Sequence, residues 1–567
     1  MRQTAAASVC PFTGHAAPAP SVTDSTGRHT GGTLRRRTFL NGVVATVATA
    51  ALATVDLLGA VPAAAAGRRA LKGSHGRGLR GMDIVTRYGR DKEARFGLMF
   101  KKLPAYAPSD SLLRGMARQM NDGKAPLSDV KNSDVAFDTS MPAGYIYFGQ
   151  FVDHDITLDR TPLTQQKQDT SAMVNFDTPR FDLGSVYGGG PAANPELYDP
   201  ARPGYLLTSV HDGLTDLPRD EVGAAYLGDP RNDENLIVAQ LHTVFLRLHN
   251  RFMDAGMTFE QARRQTRWHF QWVIVHDYLP RIVGQAAVDA LLVRRGNGTW
   301  TTTNAFYKPR NAARPYIPLE FSGAAFRFGH SQIRAEYEVQ DGHTVPIFAP
   351  DGYEDLRGHR RIPADLWIDW NYFFDIPGLS APDDRNQARR IDPQLSLPLS
   401  TLPSTVVAPT AGAIVALAER NLLRGKRLGL PSGQEVAAAM GIAPLTNAEL
   451  GVAGTGWKNR APLWFYVLRE AELGGGQQLG PVGGRIVAEV LLGLLVLDKT
   501  SYLNADPGFD PGPGFGMGAL ILRADAFDPR GRSPQPPDPE PVDPDPVPEA
   551  PADAGNPEAT DPLPGDV

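Results

Sequence analysis

The stretch YFGQFVDHDITLD, residues 147–159, sets His154 between two carboxylates, Asp153 and Asp155, with Gln150 four residues before it. An imidazole whose charge changes near neutral pH is suited to taking up and returning a proton. Aspartates in an otherwise apolar run cost free energy to bury unless they find partners. If residues 144–156 form a helix, Gln150, Asp153 and His154 stand at i, i+3 and i+4 and share one face. Asp155 lies about 100° further round, nearly opposite Gln150, so the two aspartates serve different neighbours. On spacing alone, a polar stripe on a surface helix accounts for the pattern as well as a functional site does.

Three more clusters carry chemistry-bearing types. GDPRNDENLIVAQLHTVFLRLHNR (228–251) places Arg231 and Glu234 three residues apart at an expected helix start, so that both can face one cavity. AAFRFGHSQI (324–333) has His330 after Gly329, with Arg327 three residues earlier. ERNLLRGKRLGLPSG (419–433) puts Asn421 and Arg424 one turn apart. Each alone has an ordinary account as a surface pair or a structural histidine.

The elements that must position these clusters read as mostly helical. In residues 234–254, Ile237, Leu241, Val244, Leu248 and Phe252 form one stripe at spacings of three and four. Residues 258–279 open with Thr258 and Gln261 in capping-box positions. Residues 411–425 and 483–497 also read as helices, and the apolar run 487–497 is too short to span a bilayer. Alternating strands are scarce, GHTVPIF (342–348) being at best a short one. The 49 prolines and 58 glycines imply long, defined loops. The expected fold class is mainly α, without evident internal repeats.

Composition narrows the function. The 567 residues, 42% hydrophobic and 21% charged, can build a large core, and a net charge of −5 gives no reason to expect nucleic acid as a partner. The single cysteine, Cys10, lies in a segment read as removed on export. A mature chain without it holds no disulfide, thiolate-bound zinc or thiol nucleophile, so any metal must rest on His, carboxylate, hydroxyl or backbone. The expected export signal is residues 1–66: Arg35 to Arg37 precede an Ala-rich, weakly apolar stretch ending in Ala63 to Ala66, and RRTFL resembles a twin-arginine signal. Asp56 and the weak hydrophobicity argue against this stretch being a stable membrane anchor, and no stable membrane span is expected in the mature chain. Residues 72–528 are expected to fold. Residues 529–567, rich in Pro, Asp and Glu, read as a solvated acidic tail.

Taken together and in this order, the four clusters resemble the animal-type haem peroxidases, the superfamily of myeloperoxidase, lactoperoxidase and peroxidasin, with the cyclooxygenases as distant relatives. The likeness covers roughly residues 85–500, and RFGLMFKKLPAYAPSDSLL (95–113) is similar to the entry of that domain. The resemblance implies haem b, with His154 as the distal acid–base catalyst for hydrogen peroxide and Arg231 as the charge that aids O–O cleavage. It implies Gln150 near the donor subsite and His330 as the iron ligand. Asn421 would accept a hydrogen bond from the other ring nitrogen of His330. Arg327 and Arg424 would lie near the haem propionates. Asp153 and Glu234 match the carboxylates that form ester bonds to haem in mammalian members. Asp155, with Thr178, the Arg180 carbonyl and Asp182, matches a calcium site, although Gly184 stands where a serine ligand is expected and Ser185 comes one place late.

The implied reaction oxidises small anions such as halides or thiocyanate, or aromatic donors, by way of a ferryl-oxo porphyrin radical. Asn235 follows Glu234 where myeloperoxidase has a methionine that forms a third haem link, so the nearer analogy is the lactoperoxidase or peroxidasin type. DLGSVYG (182–188) is closer to the cyclooxygenase side, which keeps a haem-dependent fatty-acid dioxygenase open. Such enzymes place a radical-forming tyrosine where this chain has Arg327. A secreted binding protein with a vestigial peroxidase domain, and a non-haem iron site on His242 and His249, are further alternatives.

Overall fold

The computed structural model describes residues 96–120, 138–158, 175, 178–311, 315–349, 353–407 and 412–528. All lie within one of the chain's two compact units, residues 48–567. The expected export signal with Cys10, residues 72–95 and the acidic tail fall outside the described residues.

Seven helices carry the architecture needed here: α1 (Asp110–Met120), α2 (Gly144–Ile156), α3 (Leu236–Asp254), α4 (Phe259–Val273), α5 (Leu417–Arg427), α6 (Leu463–Leu473) and α7 (Pro481–Leu497). The strands are short and pair only in twos among the described residues, so the fold is mainly α, as expected. GHTVPIF contributes His343–Pro346, paired antiparallel with Glu336–Gln340.

Helix α2 spans the expected residues, but it is no surface helix. All of its thirteen residues are buried except Gln150 and Asp153, which keep partial exposure on their shared face. Its aromatic and β-branched residues have modest helix propensity, so packing holds it. Burying Phe148, Phe151 and Val152 contributes about 1.5–3 kcal/mol each. Phe151 stacks on Phe245 of α3 at 4.7 Å. Gly149 lets Tyr278 lie directly against the helix: a Cβ there would stand 2.2 Å from the phenol oxygen.

Helix α3 packs against both α2 and α4. The predicted apolar stripe is present, but the helix is buried all round from Leu236 to Leu246, so periodicity understated how central it is. Helix α4 begins with the expected capping box of Thr258 and Gln261 and then widens into a π turn, Ile274–Tyr278. The segment read as helical over 411–425 forms helix only from Leu417, with Ala416 in an extended conformation at its start. Helices α6 and α7 pack on each other and both contact the 3-10 turn Ala325–Gln332, which also rests on α2. No helix among the described residues is long and apolar enough to cross a membrane.

Candidate active site

Two helix caps hold one half of the site. Asp229 caps the turn Pro230–Asp233, its side chain accepting from the Arg231 backbone N–H. Asn235 caps α3 by accepting from the Val238 N–H at 2.9 Å. The residues between the caps are pinned again by a segment far downstream. The Gly358 N–H donates to the Glu234 carbonyl at 3.0 Å and the His359 N–H to the Asp233 carbonyl at 2.7 Å. Asp233 itself turns away, accepting two bonds from Arg219 at 2.7 and 2.8 Å.

Against this segment lies the polar face of α2. Gln150 donates to the Glu234 carboxylate and accepts from Asn235 Nδ2 at 3.3 Å, so its amide is fixed at both ends. Arg231 is fully buried, and a lone buried guanidinium would be strongly destabilising. Asp229 offsets this with bonds to Nε and Nη2 of Arg231, the latter at 2.7 Å, and the Thr157 carbonyl accepts another. Nη1 of Arg231 stands 3.9 Å from Asp153. His154 Nδ1 lies 2.8 Å from Asn232 Oδ1. With the amide oxygen turned to the ring, Nδ1 is the nitrogen placed to donate.

Asp153 keeps 33% of its side-chain surface. Burial nevertheless raises its pKa, against the lowering effects of Arg231, Arg327 and Arg424.

Arg327 and Arg424 belong to the other half. The turn that carries His330 is anchored by α6, where Trp464 Nε1 donates to the Arg327 carbonyl at 3.1 Å. His330 is buried, and burial holds its pKa well below the usual histidine range, so the ring is neutral. Its Nδ1 lies 2.8 Å from Asn421 Nδ2. This differs from the expectation that Asn421 accepts, because as placed the amide donates. The Asn421 oxygen is then buried without a hydrogen-bond partner. Turning the amide by a half-rotation satisfies that oxygen and protonates Nδ1, which leaves Nε2 as a donor to iron.

Arg420, one residue before Asn421, was not singled out from the sequence. It donates to the Ile414 carbonyl at 2.6 Å, while its Nε is buried without a partner. Burial, with Arg424 and Arg327 nearby, pushes its pKa down to about 10. Three guanidinium groups within electrostatic reach of one another call for an anion.

The structure thus joins Gln150, Asp153, His154, Arg231 and Glu234 in one cluster and pairs His330 with Asn421. Sequence reasoning missed Asp229, Asn232 and Arg420. Asp155 points to the opposite side of α2, fully buried, and accepts from the Leu183 N–H at 3.0 Å. That contact docks the 178–185 loop, in which Thr178 donates to Asp182 at 3.3 Å. His242 and His249 do not share a metal site. The Nδ1 of His249 pairs with Tyr187 and its Nε2 with the Gly204 carbonyl, both at 3.0 Å, while His242 pairs with Asn232.

The donor types fit haem: the neutral imidazole of His330, a second imidazole at His154, the carboxyls of Asp153 and Glu234, and an arginine cluster for carboxylate substituents. The sequence model of the animal haem peroxidase family matches residues 159–449, which include Arg231, Glu234, His330, Asn421 and Arg424 but begin after the α2 residues. Human thyroid peroxidase is 26% identical over 333 residues, covering 51% of this chain and 32% of its own. Chorion peroxidase of Aedes aegypti is 23% identical over 296 residues, covering 46% and 37%. The chain therefore spans about a third of the length of these curated relatives. Among solved structures, peroxidase A from Dictyostelium discoideum has a TM-score of 0.52 at 16% identity, covering 77% of this chain and 93% of that one. A fatty acid alpha-dioxygenase from Oryza sativa has a TM-score of 0.53 at 14% identity, covering 74% and 79%. At such identities the structural likeness shows the fold alone.

Proposed function

The chain belongs to the animal haem peroxidase family, and from that premise we propose that it uses hydrogen peroxide to oxidise small anions such as halides or thiocyanate, or aromatic donors. The observation that carries this reading is the pairing of His154 and Gln150 on one face of α2 with the buried Arg231 packed against it, the Asn232 oxygen facing His154 Nδ1. Bound haem, held through His330, supplies the iron that receives peroxide and the redox capacity to oxidise a donor. His154 Nε2 takes the proton from one peroxide oxygen and returns it to the other, so that water leaves. Arg231, fixed by Asp229, stabilises negative charge on the departing oxygen. Gln150, locked between Glu234 and Asn235, presents a fixed wall to the donor. Asp153 and Glu234 are the carboxyls proposed to esterify haem, and Arg327, Arg420 and Arg424 the cations proposed for its propionates.

Calcium beside Asp155 belongs to the same proposal. No group of three or more His, Cys, Asp or Glu suited to a metal occurs among the described residues. Calcium would therefore rest on Asp155, Asp182 and neutral oxygens, as calcium sites commonly do. The Ser185 hydroxyl, buried without a hydrogen-bond partner, supports this and stands in for the serine expected at Gly184. Export through the N-terminal segment is likewise proposed. The dioxygenase reading shares the fold, but Arg327 occupies the position of its radical-forming tyrosine, and its Nε donates to the Ser322 carbonyl at 2.8 Å.

The test is on the mature protein loaded with haem and given a little peroxide. Oxidation of bromide, iodide or guaiacol, abolished in His154→Ala, with haem that resists acid–acetone extraction, is the expected result. Extractable haem, no donor oxidation and oxygen uptake with unsaturated fatty acid would overturn it.

A further inference from the structure

Asn232 links two histidines from different elements. Its Oδ1 lies 2.8 Å from His154 Nδ1 on α2, and its Nδ2 lies 3.1 Å from His242 Nδ1 on α3. All three residues are buried, and the Phe151 ring stands edge-on to the His242 ring with centroids 5.9 Å apart. Water is therefore excluded from the chain of bonds.

The two contacts constrain each other. An amide presents oxygen on one side and NH2 on the other, so the side turned to His242 decides what His154 meets. With Nδ2 toward His242, the His242 Nδ1 must be an unprotonated acceptor. Burial keeps that ring neutral, its pKa pushed down to about 3 even though Asp229 opposes the shift. The oxygen then faces His154, where it can only accept, and the imidazole proton is held on Nδ1. Reversing the amide would require His242 to move its proton to Nδ1, and would turn Nε2 of His154 into a donor unable to accept from peroxide.

We propose that Asn232, bridging His154 and His242, is the positioning residue that fixes His154 in the tautomer with Nε2 as the proton acceptor. This deepens the peroxidase reading and rests on it for the identity of the proton donor. Asp153 and Asp155 flank His154 in the chain, and Arg231, paired with Asp229, reaches the His154 carbonyl rather than its ring, with Nη2 at 3.4 Å.

The experiment compares haem-loaded wild type, Asn232→Val and Asn232→Asp in two rapid-mixing assays across pH. One follows the reaction with hydrogen peroxide. The other follows binding of cyanide, whose neutral form HCN must give its proton to a base as it binds. In Asn232→Val both association rates should fall about 10- to 100-fold, as for loss of other outer-shell partners. The acid limb should also move to lower pH, because Nδ1–H loses its acceptor. Asn232→Asp places a carboxylate behind the ring and should move that limb to higher pH. It decides the matter alone if Asn232→Val does not fold. Opposite displacements from near-isosteric replacements are not expected of a merely structural residue. Rates within about twofold of wild type, with unmoved limbs in both variants, would overturn the inference. Should wild type fail with peroxide while cyanide binding still depends on Asn232, the peroxidase reading falls and the tautomer assignment stands.

Discussion

A single methyl group at position 358 tests how Glu234 is held. A Cβ on Gly358 would lie 1.9 Å from the Asp233 carbonyl oxygen and 2.7 Å from the carbonyl carbons of Asp233 and Glu234. These are backbone atoms between two helix caps, so no side chain can swing aside. In Gly358→Ala the 355–361 segment must therefore lift off. Overpacking of this kind costs about 1–3 kcal/mol. Loss of the Gly358–Glu234 and His359–Asp233 backbone bonds adds about 0.5–1.5 kcal/mol each. The total is about 2–6 kcal/mol. With an unfolding entropy of about 2.1 cal/mol/K per residue, a folded part of roughly 400 residues loses about 1 °C per kcal/mol, so the apparent Tm should drop by about 2–7 °C. Glu234 should shift while Asp153, on α2, stays. Calorimetry of the haem-loaded protein, with mass spectrometry of its haem-bearing peptides, reads both effects. If haem is esterified as proposed, the link to Glu234 should be lost selectively. A variant with an apparent Tm within about 1 °C of wild type and haem on both carboxyls would refute the claim that this clamp positions Glu234.

Three further outcomes are expected. Asp229→Asn leaves the buried Arg231 guanidinium without its carboxylate and should cost about 3–5 kcal/mol in denaturant unfolding, with peroxide reactivity reduced; a change below about 1 kcal/mol would contradict that pairing. Arg420→Leu relieves repulsion with Arg424 and Arg327, so it should raise the Tm of haem-free protein and shrink the Tm gain on adding haem; equal gains in both proteins would count against a role for Arg420 toward the propionates. His269 lies among Phe252, Phe509 and Phe515, and burial with Arg523 nearby pushes its pKa down to about 3. Because the unfolded ring binds a proton near pH 6.5 and the folded one does not, this histidine favours folding fully above pH 6.5 and progressively less as pH falls toward 3. His269→Gln should remove up to about 1.4 kcal/mol per pH unit of acid destabilisation in that window, and parallel stability–pH curves for variant and wild type would show the assignment to be wrong.

Much of the site was legible locally. Gln150, Asp153 and His154 share a face because three- and four-residue spacings align on any helix, and Asp155 falls opposite for the same reason. The capping box at Thr258 and the extent of α2 follow from local chemistry as well. Asn421 was identified as the partner of His330 and expected to accept from it, whereas which end of the amide faces the ring depends on where hydrogen atoms sit in a buried pair. Residues 412–416 are mostly apolar, yet the helix begins only at Leu417.

What the sequence determined by itself is the set of elements, the face on which each reactive side chain stands, and the order of the clusters that mark the family. What only the tertiary structure decided is which groups hold those side chains in a working state. Asn232 behind His154, the Gly358 segment on Glu234 and Arg420 beside Arg327 are joined by contacts between elements distant in the chain. A local run of residues has periodicity and capping chemistry to read. A contact between distant residues has neither, because it is set by how buried surfaces close on one another and by which polar atoms the loss of water forces to pair.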